Sequence, residues 1–270
     1  MIAPVELIRL LIPTRIRIKV YVWAIALAGK SKLLLYPFLF ILHGHIPKGV
    51  TIVNNKPLYH YKGIEIDSPM DSVEAYVEVF LDKVYDRQRV PQKGDIVIDI
   101  GAYVGMYSIK ASQYARNKGK IVSVEPLPSN LVYLKNNTAG IPNIQIAEVA
   151  LSNYVGIGKL YTSPSTAAHS MTYVRDKYIE VKVTTLDNLV KELELPRVDY
   201  IKMDAEGSDM NILEGAIGVL NKYHPVLSIA CYHTDKDGIP YVNKVMAYLM
   251  ELGYKCVTDK GYIYANKEDK

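Results

Sequence analysis

The chain has 270 residues, 49% of them hydrophobic and 22% charged, which is enough apolar material for a full core and excludes wholesale disorder. Its net charge of +4 does not by itself point to nucleic acid. The two cysteines, Cys231 and Cys256, form no Cys-x-x-Cys pair, which argues against a structural zinc site; they read as two buried thiols in a reducing compartment unless two strands bring them together.

Residues 5–49 are apolar with scattered Arg9, Arg15, Arg17, Lys19, Lys30 and Lys32. The longest uncharged stretches, residues 20–29 and 33–47, fall short of the roughly 18–20 residues that a spanning helix needs. Pro13, Pro37 and Pro47 punctuate them further, and no small-residue cleavage site follows a single apolar run. Two readings stay open. One is helices that pack as a cap or a homodimer contact. The other is a basic amphipathic segment, residues 5–48, lying on a membrane surface. The expected location is cytoplasmic, and the second reading adds peripheral attachment to the cytoplasmic membrane.

Residues 58–66 alternate as a short hairpin. Residues 72–84 place Val73, Tyr76, Val77, Phe80, Leu81 and Val84 at helical spacing. From Gly94 the pattern becomes regular. Strands are expected at 95–100, 120–124, 144–149, 198–203 and 226–231. Helices are expected at 105–116, 128–137, 185–193, 208–220 and 240–252, the last ended by Gly253. Residues 156–161 and 178–183 read as a β insertion, and 255–258 with 262–265 as a closing hairpin around Lys260-Gly261. Strands alternating with helices imply βαβ units, so the expected class is α/β with a mostly parallel sheet and an antiparallel last strand. The expected division is an apolar, basic helical segment (1–50), a hairpin and helix lead-in (51–93) and the main α/β domain (94–270).

In such sheets ligands sit beyond the carboxyl ends of the strands. The first strand ends in Asp99-Ile100-Gly101-Ala102-Tyr103-Val104-Gly105 and runs into a helix. The spacing Asp-x-Gly-x-x-x-Gly departs from the dinucleotide fingerprint Gly-x-Gly-x-x-Gly. A small turn with an acid beside it suits a sulfonium cofactor bearing an amino-acid tail, S-adenosylmethionine, better than a pyrophosphate. Glu125, at the end of the next strand and about twenty residues on, can accept both ribose hydroxyls. Pro126 and Asn130 follow it, Asn130 facing either the sugar or the helix start. Residues 147–151 read as an adenine shelf that includes Glu148 and Ala150, or as an ordinary strand end.

After the fourth strand stand Asp204 and Glu206, and after the fifth stands His233. A cofactor of that kind donates a methyl group, and an acceptor that must lose a proton to receive it needs a group to take that proton; these three are the candidates. Lys202 reads as the partner of a buried carboxylate. Together with Asp235 the three candidates match no firm metal-ligand spacing, so no metal is expected. The polar loop 162–176, with His169, reads as an acceptor-binding lid or a surface loop.

These motifs resemble the FkbM-type methyltransferases. The resemblance is carried by Gly94-Asp95-Ile96-Val97-Ile98-Asp99-Ile100-Gly101-Ala102-Tyr103-Val104-Gly105, by Val124-Glu125-Pro126-Leu127-Pro128-Ser129-Asn130 and by Leu134-Lys135-Asn136-Asn137. Thr184-Thr185-Leu186-Asp187, Val198-Asp199-Tyr200-Ile201-Lys202-Met203-Asp204-Ala205-Glu206-Gly207 and Leu213-Glu214-Gly215-Ala216 extend it. It covers residue 85 to the C-terminus, and Tyr232-His233 stands where many members carry a glutamate. The resemblance implies a Rossmann-like class I methyltransferase with a seven-stranded sheet, S-adenosylmethionine as cofactor and O-methylation of a hydroxyl. Expected acceptors are a small molecule, a glycan or a lipid-linked compound, with no nucleic acid. The alternatives are an N-methyltransferase acting on RNA or protein, whose usual Asn-Pro-Pro-Tyr motif is absent, and a non-catalytic nucleotide-binding module. The loop spacing disfavours an NAD-dependent oxidoreductase.

Overall fold

The computed structural model describes residues 49–53, 56–69, 72–162, 170–172, 176–232 and 240–267. The expected cap, homodimer or membrane contact of residues 5–48 and the candidate His233 lie outside them. The described residues fall into two units divided between Val77 and Glu78.

In the first unit, β1 (Val50–Val53), β2 (Lys56–Tyr61) and β3 (Ile64–Asp67) form an antiparallel sheet in that order. The β2–β3 turn uses Lys62 and Gly63, both at positive φ (48° and 83°), as a two-residue hairpin loop requires. Tyr59 is fully buried; its ring stacks on Tyr76 at 4.5 Å and its hydroxyl bonds Ser72 at 3.1 Å. Tyr76 closes the single turn α1 (Val73–Tyr76). The helix expected over 72–84 is therefore not continuous. It widens at Val77–Leu81 and stops at Lys83, whose φ of 50° cannot continue a right-handed helix.

The second unit holds a seven-stranded sheet. Its strands are β4 (Ile96–Ile100), β5 (Lys120–Val124), β6 (Ile144–Ala147), β10 (Tyr200–Met203), β11 (Val226–Ala230), β12 (Lys255–Asp259) and β13 (Tyr262–Asn266), in the order β12-β13-β11-β10-β4-β5-β6. The core pairs are parallel, and β13 inserts antiparallel between β11 and β12. This is the expected mostly parallel sheet with an antiparallel last strand. A small second sheet joins β7 (Ala150–Leu151), β9 (Tyr178–Thr184) and β8 (Gly156–Tyr161).

The helices are α2 (Met106–Ala115), α3 (Pro128–Thr138), α4 (Leu186–Glu192), α5 (Asp209–Glu214), α6 (Ile217–Tyr223) and α7 (Tyr241–Glu251). The single helix expected over 208–220 is split into α5 and α6. A side-chain carbon at Gly215 would lie 2.1 Å from the Ser152 carbonyl oxygen, so the two backbones press together there. Beyond the break, the Asp187 carboxylate accepts the backbone N–H groups of Gly218 (2.8 Å) and Val219 (2.7 Å) and caps α6 from a neighbouring helix.

The two faces of the large sheet differ because side chains alternate along each strand. Ile98, Ile100, Val122, Val124, Ile201, Met203, Leu227, Ile229 and Ile263 point to one face and join the main core with Leu186, Leu213, Leu220, Val245 and Leu249. The other face carries a polar row. Ser123, Asp99, Lys202, Ser228 and Tyr264 are register partners across β5, β4, β10, β11 and β13. All five are almost fully buried, so each needs a partner within the protein. Cys231 and Cys256 are free thiols; Cys231 is buried, but Cys256 on the edge strand is only half-buried. No helix among the described residues is long and apolar enough to cross a membrane.

Candidate active site

The glycine-bearing turn follows β4 directly. Gly101 and Ala102 donate their backbone N–H groups to the Val124 carbonyl at 3.1 and 3.0 Å, which hangs the turn over the end of β5. At Gly101 φ is +72°, and a Cβ would sit 1.9 Å from the Asp204 carbonyl oxygen. Glycine is thus demanded first by the segment after β10, and only then by any ligand. Ala102 is buried and Tyr103 adopts φ 54°, a conformation that side chains resist. Gly105, at φ +92°, precedes α2. Helix α3 supports the turn from behind through Asn137 Nδ2, which donates to the Val104 carbonyl at 2.8 Å.

Asp99 is fully buried below this turn. Ser108 donates to its Oδ2 at 2.6 Å, and Lys202 Nζ lies 3.1 Å from its Oδ1. Ser108 also meets Ser123 at 2.7 Å, and Lys202 donates to the Gly101 carbonyl at 2.9 Å. Burial pulls the Lys202 ammonium down, but the Asp99 and Asp204 charges outweigh it and raise its pKa overall. The expected carboxylate partner of Lys202 is therefore Asp99, and the pair anchors the turn from the sheet.

Glu125 is buried at the end of β5, with its carboxylate against the turn. Its Oε2 accepts the Tyr103 backbone N–H at 2.8 Å; its Oε1 accepts the Leu127 N–H at 2.9 Å and faces Asn130 Nδ2 at 3.5 Å. Burial pushes this carboxyl up to about 7, against the two backbone N–H groups that favour its charged form. Pro126 is half-buried and Ala150 buried, whereas Glu148 is exposed and pairs with Lys135 at 2.7 Å. Of the expected cofactor residues, Gly101, Ala102, Tyr103, Glu125 and Asn130 converge. Glu148 turns to the surface, and Asp99 is occupied beneath.

The acceptor-side carboxylates follow β10. Tyr85 donates to Asp204 Oδ2 at 3.0 Å, and Asp204 Oδ1 is buried with no partner. Glu206 is half-buried at φ 50°. The described part of the 162–176 loop docks here: Ser170 donates to the Glu206 carbonyl at 2.7 Å, and Thr172 meets Ser208 at 3.2 Å. Asp209 is fully buried with neither carboxylate oxygen partnered, and burial together with the Asp204 charge pushes it up to about 7. Among the described residues no three His, Cys, Asp or Glu side chains form a metal-binding group. Sequence reasoning assigned no site role to Tyr85, Asn137 or Asp209. Asn137 carried a signal, since it lies three residues after Leu134 on one helix face; Tyr85 lies 119 residues from Asp204 and carried none.

A seven-stranded α/β sheet with its last strand inserted antiparallel, a glycine turn after one strand and an acid after the next is the architecture of a Rossmann-like methyltransferase. The model of the methyltransferase FkbM domain matches residues 99–256, and the chain belongs to that family. It is 24% identical over 137 residues to the hexuronic acid methyltransferase AglP of Haloferax volcanii, covering 50% of this chain and 56% of that protein. It is 22% identical over 232 residues to the 31-O-demethyl-FK506 methyltransferase FkbM of Streptomyces tacrolimicus, covering 72% of this chain and 85% of that protein. The chain thus spans little more than half the length of AglP. Among solved structures it is similar to a methyltransferase FkbM from Methylobacillus flagellatus KT, with a TM-score of 0.49, 18% identity, and coverage of 70% of this chain and 47% of that one.

Proposed function

We propose that the chain is an S-adenosylmethionine-dependent O-methyltransferase whose acceptor is a hydroxyl on a sugar, a glycolipid or a small metabolite. The observation that carries this reading is the buried Glu125 carboxylate, held against the glycine turn by the Tyr103 and Leu127 N–H groups. Each carboxylate oxygen has two acceptor sites, so Oε2, which holds the Tyr103 N–H, keeps one for a ribose hydroxyl, and Oε1 gains one for the vicinal hydroxyl where Asn130, at 3.5 Å, gives way. The residues therefore fit the cofactor. The anionic groups around the turn, Glu125 and Asp204, suit a cationic sulfonium. When bound, S-adenosylmethionine supplies an electrophilic methyl group.

The chain's own residues supply the rest. Asp204 takes the acceptor proton through Oδ1, the buried oxygen with no partner. Lys202 and Asp99 hold the turn so that donor and acceptor meet in line. Both named relatives support the acceptor class, since one is named for hexuronic acid and the other for 31-O-demethyl-FK506.

The test is transfer of tritium from methyl-labelled S-adenosylmethionine to glycan, glycolipid, small-molecule, protein and RNA fractions of the source cell, beside calorimetric titration with S-adenosylmethionine and NAD. Label in a glycan, glycolipid or small-molecule fraction, greatly slowed but still measurable in Asp204→Asn, is expected. Label confined to RNA or protein overturns the acceptor class, and NAD binding without S-adenosylmethionine binding overturns the cofactor.

A further inference from the structure

We propose that Tyr85 is a positioning residue for methyl transfer, holding Asp204 by one carboxylate oxygen and leaving the other for the acceptor hydroxyl. The proposal rests on the reading of Asp204 as the proton acceptor. Tyr85 lies outside the segment matched by the family model, residues 99–256.

Two observations carry it. The Tyr85 hydroxyl donates to Asp204 Oδ2 at 3.0 Å, while Oδ1 of the same carboxylate is buried and unpartnered. A buried carboxylate oxygen without a donor is costly to keep and is what an incoming hydroxyl would satisfy. A free carboxylate rotates about its terminal bond and presents either oxygen; one bound at Oδ2 presents only Oδ1.

Tyr85 is itself held from three sides. Its backbone carbonyl accepts from Tyr200 Oη at 2.6 Å and Ser228 Oγ at 3.1 Å, and the preceding carbonyl, of Val84, accepts from Tyr264 Oη at 2.6 Å. Its ring meets Tyr107 and Tyr262 edge-on, with centroids at 5.4 and 5.9 Å, and the Lys202 ammonium sits 5.2 Å from the ring centroid. The polar row of the sheet thus has a use. At Asp99 and Lys202 it anchors the cofactor turn; at Ser228 and Tyr264 it anchors the strap that aims Tyr85. Burial and the Asp204 charge hold the phenol well above its usual range, so Tyr85 remains a donor and does not compete for the acceptor proton.

The test is Tyr85→Phe in the full chain, which removes one oxygen and keeps the ring packing and the backbone bonds. With aspartate labelled at the carboxyl carbon, the Asp204 resonance is identified by its absence in Asp204→Asn. In Tyr85→Phe this resonance is expected to move while that of Asp99 stays, with S-adenosylmethionine affinity within about twofold of the parent. An unmoved Asp204 resonance overturns the hold. With the glycan or glycolipid fraction that accepts tritium, kcat is expected to fall about tenfold with KM unchanged, the scale of one lost hydrogen bond to a charged group. Tyr85→Phe should cost nothing further in the Asp204→Asn background, and additive losses overturn action through Asp204. Full turnover by Asp204→Asn with a moved resonance in Tyr85→Phe locates the failure in the proton-acceptor reading and removes the catalytic part of the proposal with it.

Discussion

Cofactor binding should depend on pH through Glu125. Burial pushes this carboxyl up to about 7 in the free protein, although the Leu127 and Tyr103 N–H groups favour its charged form. Ribose hydroxyls donating to the carboxylate select the ionised form. Apparent affinity is then the intrinsic affinity multiplied by the ionised fraction, so binding is strong above pH 7 and is lost as pH falls through it. At pH 6 only about one molecule in eleven is ionised, which predicts affinity roughly tenfold weaker than at pH 8. Glu125→Gln should bind with no such dependence and about 10–100-fold more weakly. Its amide nitrogen would face the Tyr103 or Leu127 N–H, each now within 3 Å of a carboxylate oxygen, and set two donors against each other. The assay is calorimetric titration at pH 6, 7 and 8 with S-adenosylmethionine and with 5′-methylthioadenosine, which keeps the ribose and lacks the titrating amino acid. Flat affinity of the parent protein for both ligands across this range, or Glu125→Gln binding as tightly as the parent, would refute the reasoning.

Three further outcomes concern stability. Lys202→Met leaves Asp99 buried without its cation, and no other among the described residues pairs with it, so denaturant melts should show a loss of about 3–5 kcal/mol, much of it recovered in Lys202→Met with Asp99→Asn. Gly101→Ala places a carbon against the Asp204 carbonyl at a positive φ, and a loss of about 2 kcal/mol or more is expected in the same measurement. Asp209 is raised from its ordinary 3.8 to about 7, so the native state holds a proton that the unfolded chain has released between those values. Stability from this residue is therefore highest below pH 4 and declines as pH rises to 7. Asp209→Asn should gain on the parent across that interval by about 2–4 kcal/mol and by nothing more above it; a pH-independent difference would contradict the assignment.

Much of the architecture was legible in one dimension because its determinants are short-range. The apolar strands β4, β5, β10 and β11 and the helices between them follow from side-chain period and from Gly and Pro punctuation. The pairing of Gly101 with Glu125 was legible as well, since adjacent parallel strands place their carboxyl ends side by side. The break in the helix expected over 208–220 was not, because nothing local announces that the Ser152 carbonyl presses on Gly215 or that Asp187 caps α6. Asp99 was read as facing the ligand and is enclosed between Ser108 and Lys202, since helix α2 packs across that face of β4.

Sequence by itself determined the family, the order of strands and helices and the residues at the strand ends, because local periodicity and motif spacing are written within a few turns of chain. Tertiary structure alone decided the polar row from Ser123 to Tyr264, since strand register aligns five residues spread over the whole second unit. It alone decided which oxygen of Asp204 stays unpartnered, because the hydroxyl that occupies the other comes from Tyr85, 119 residues away.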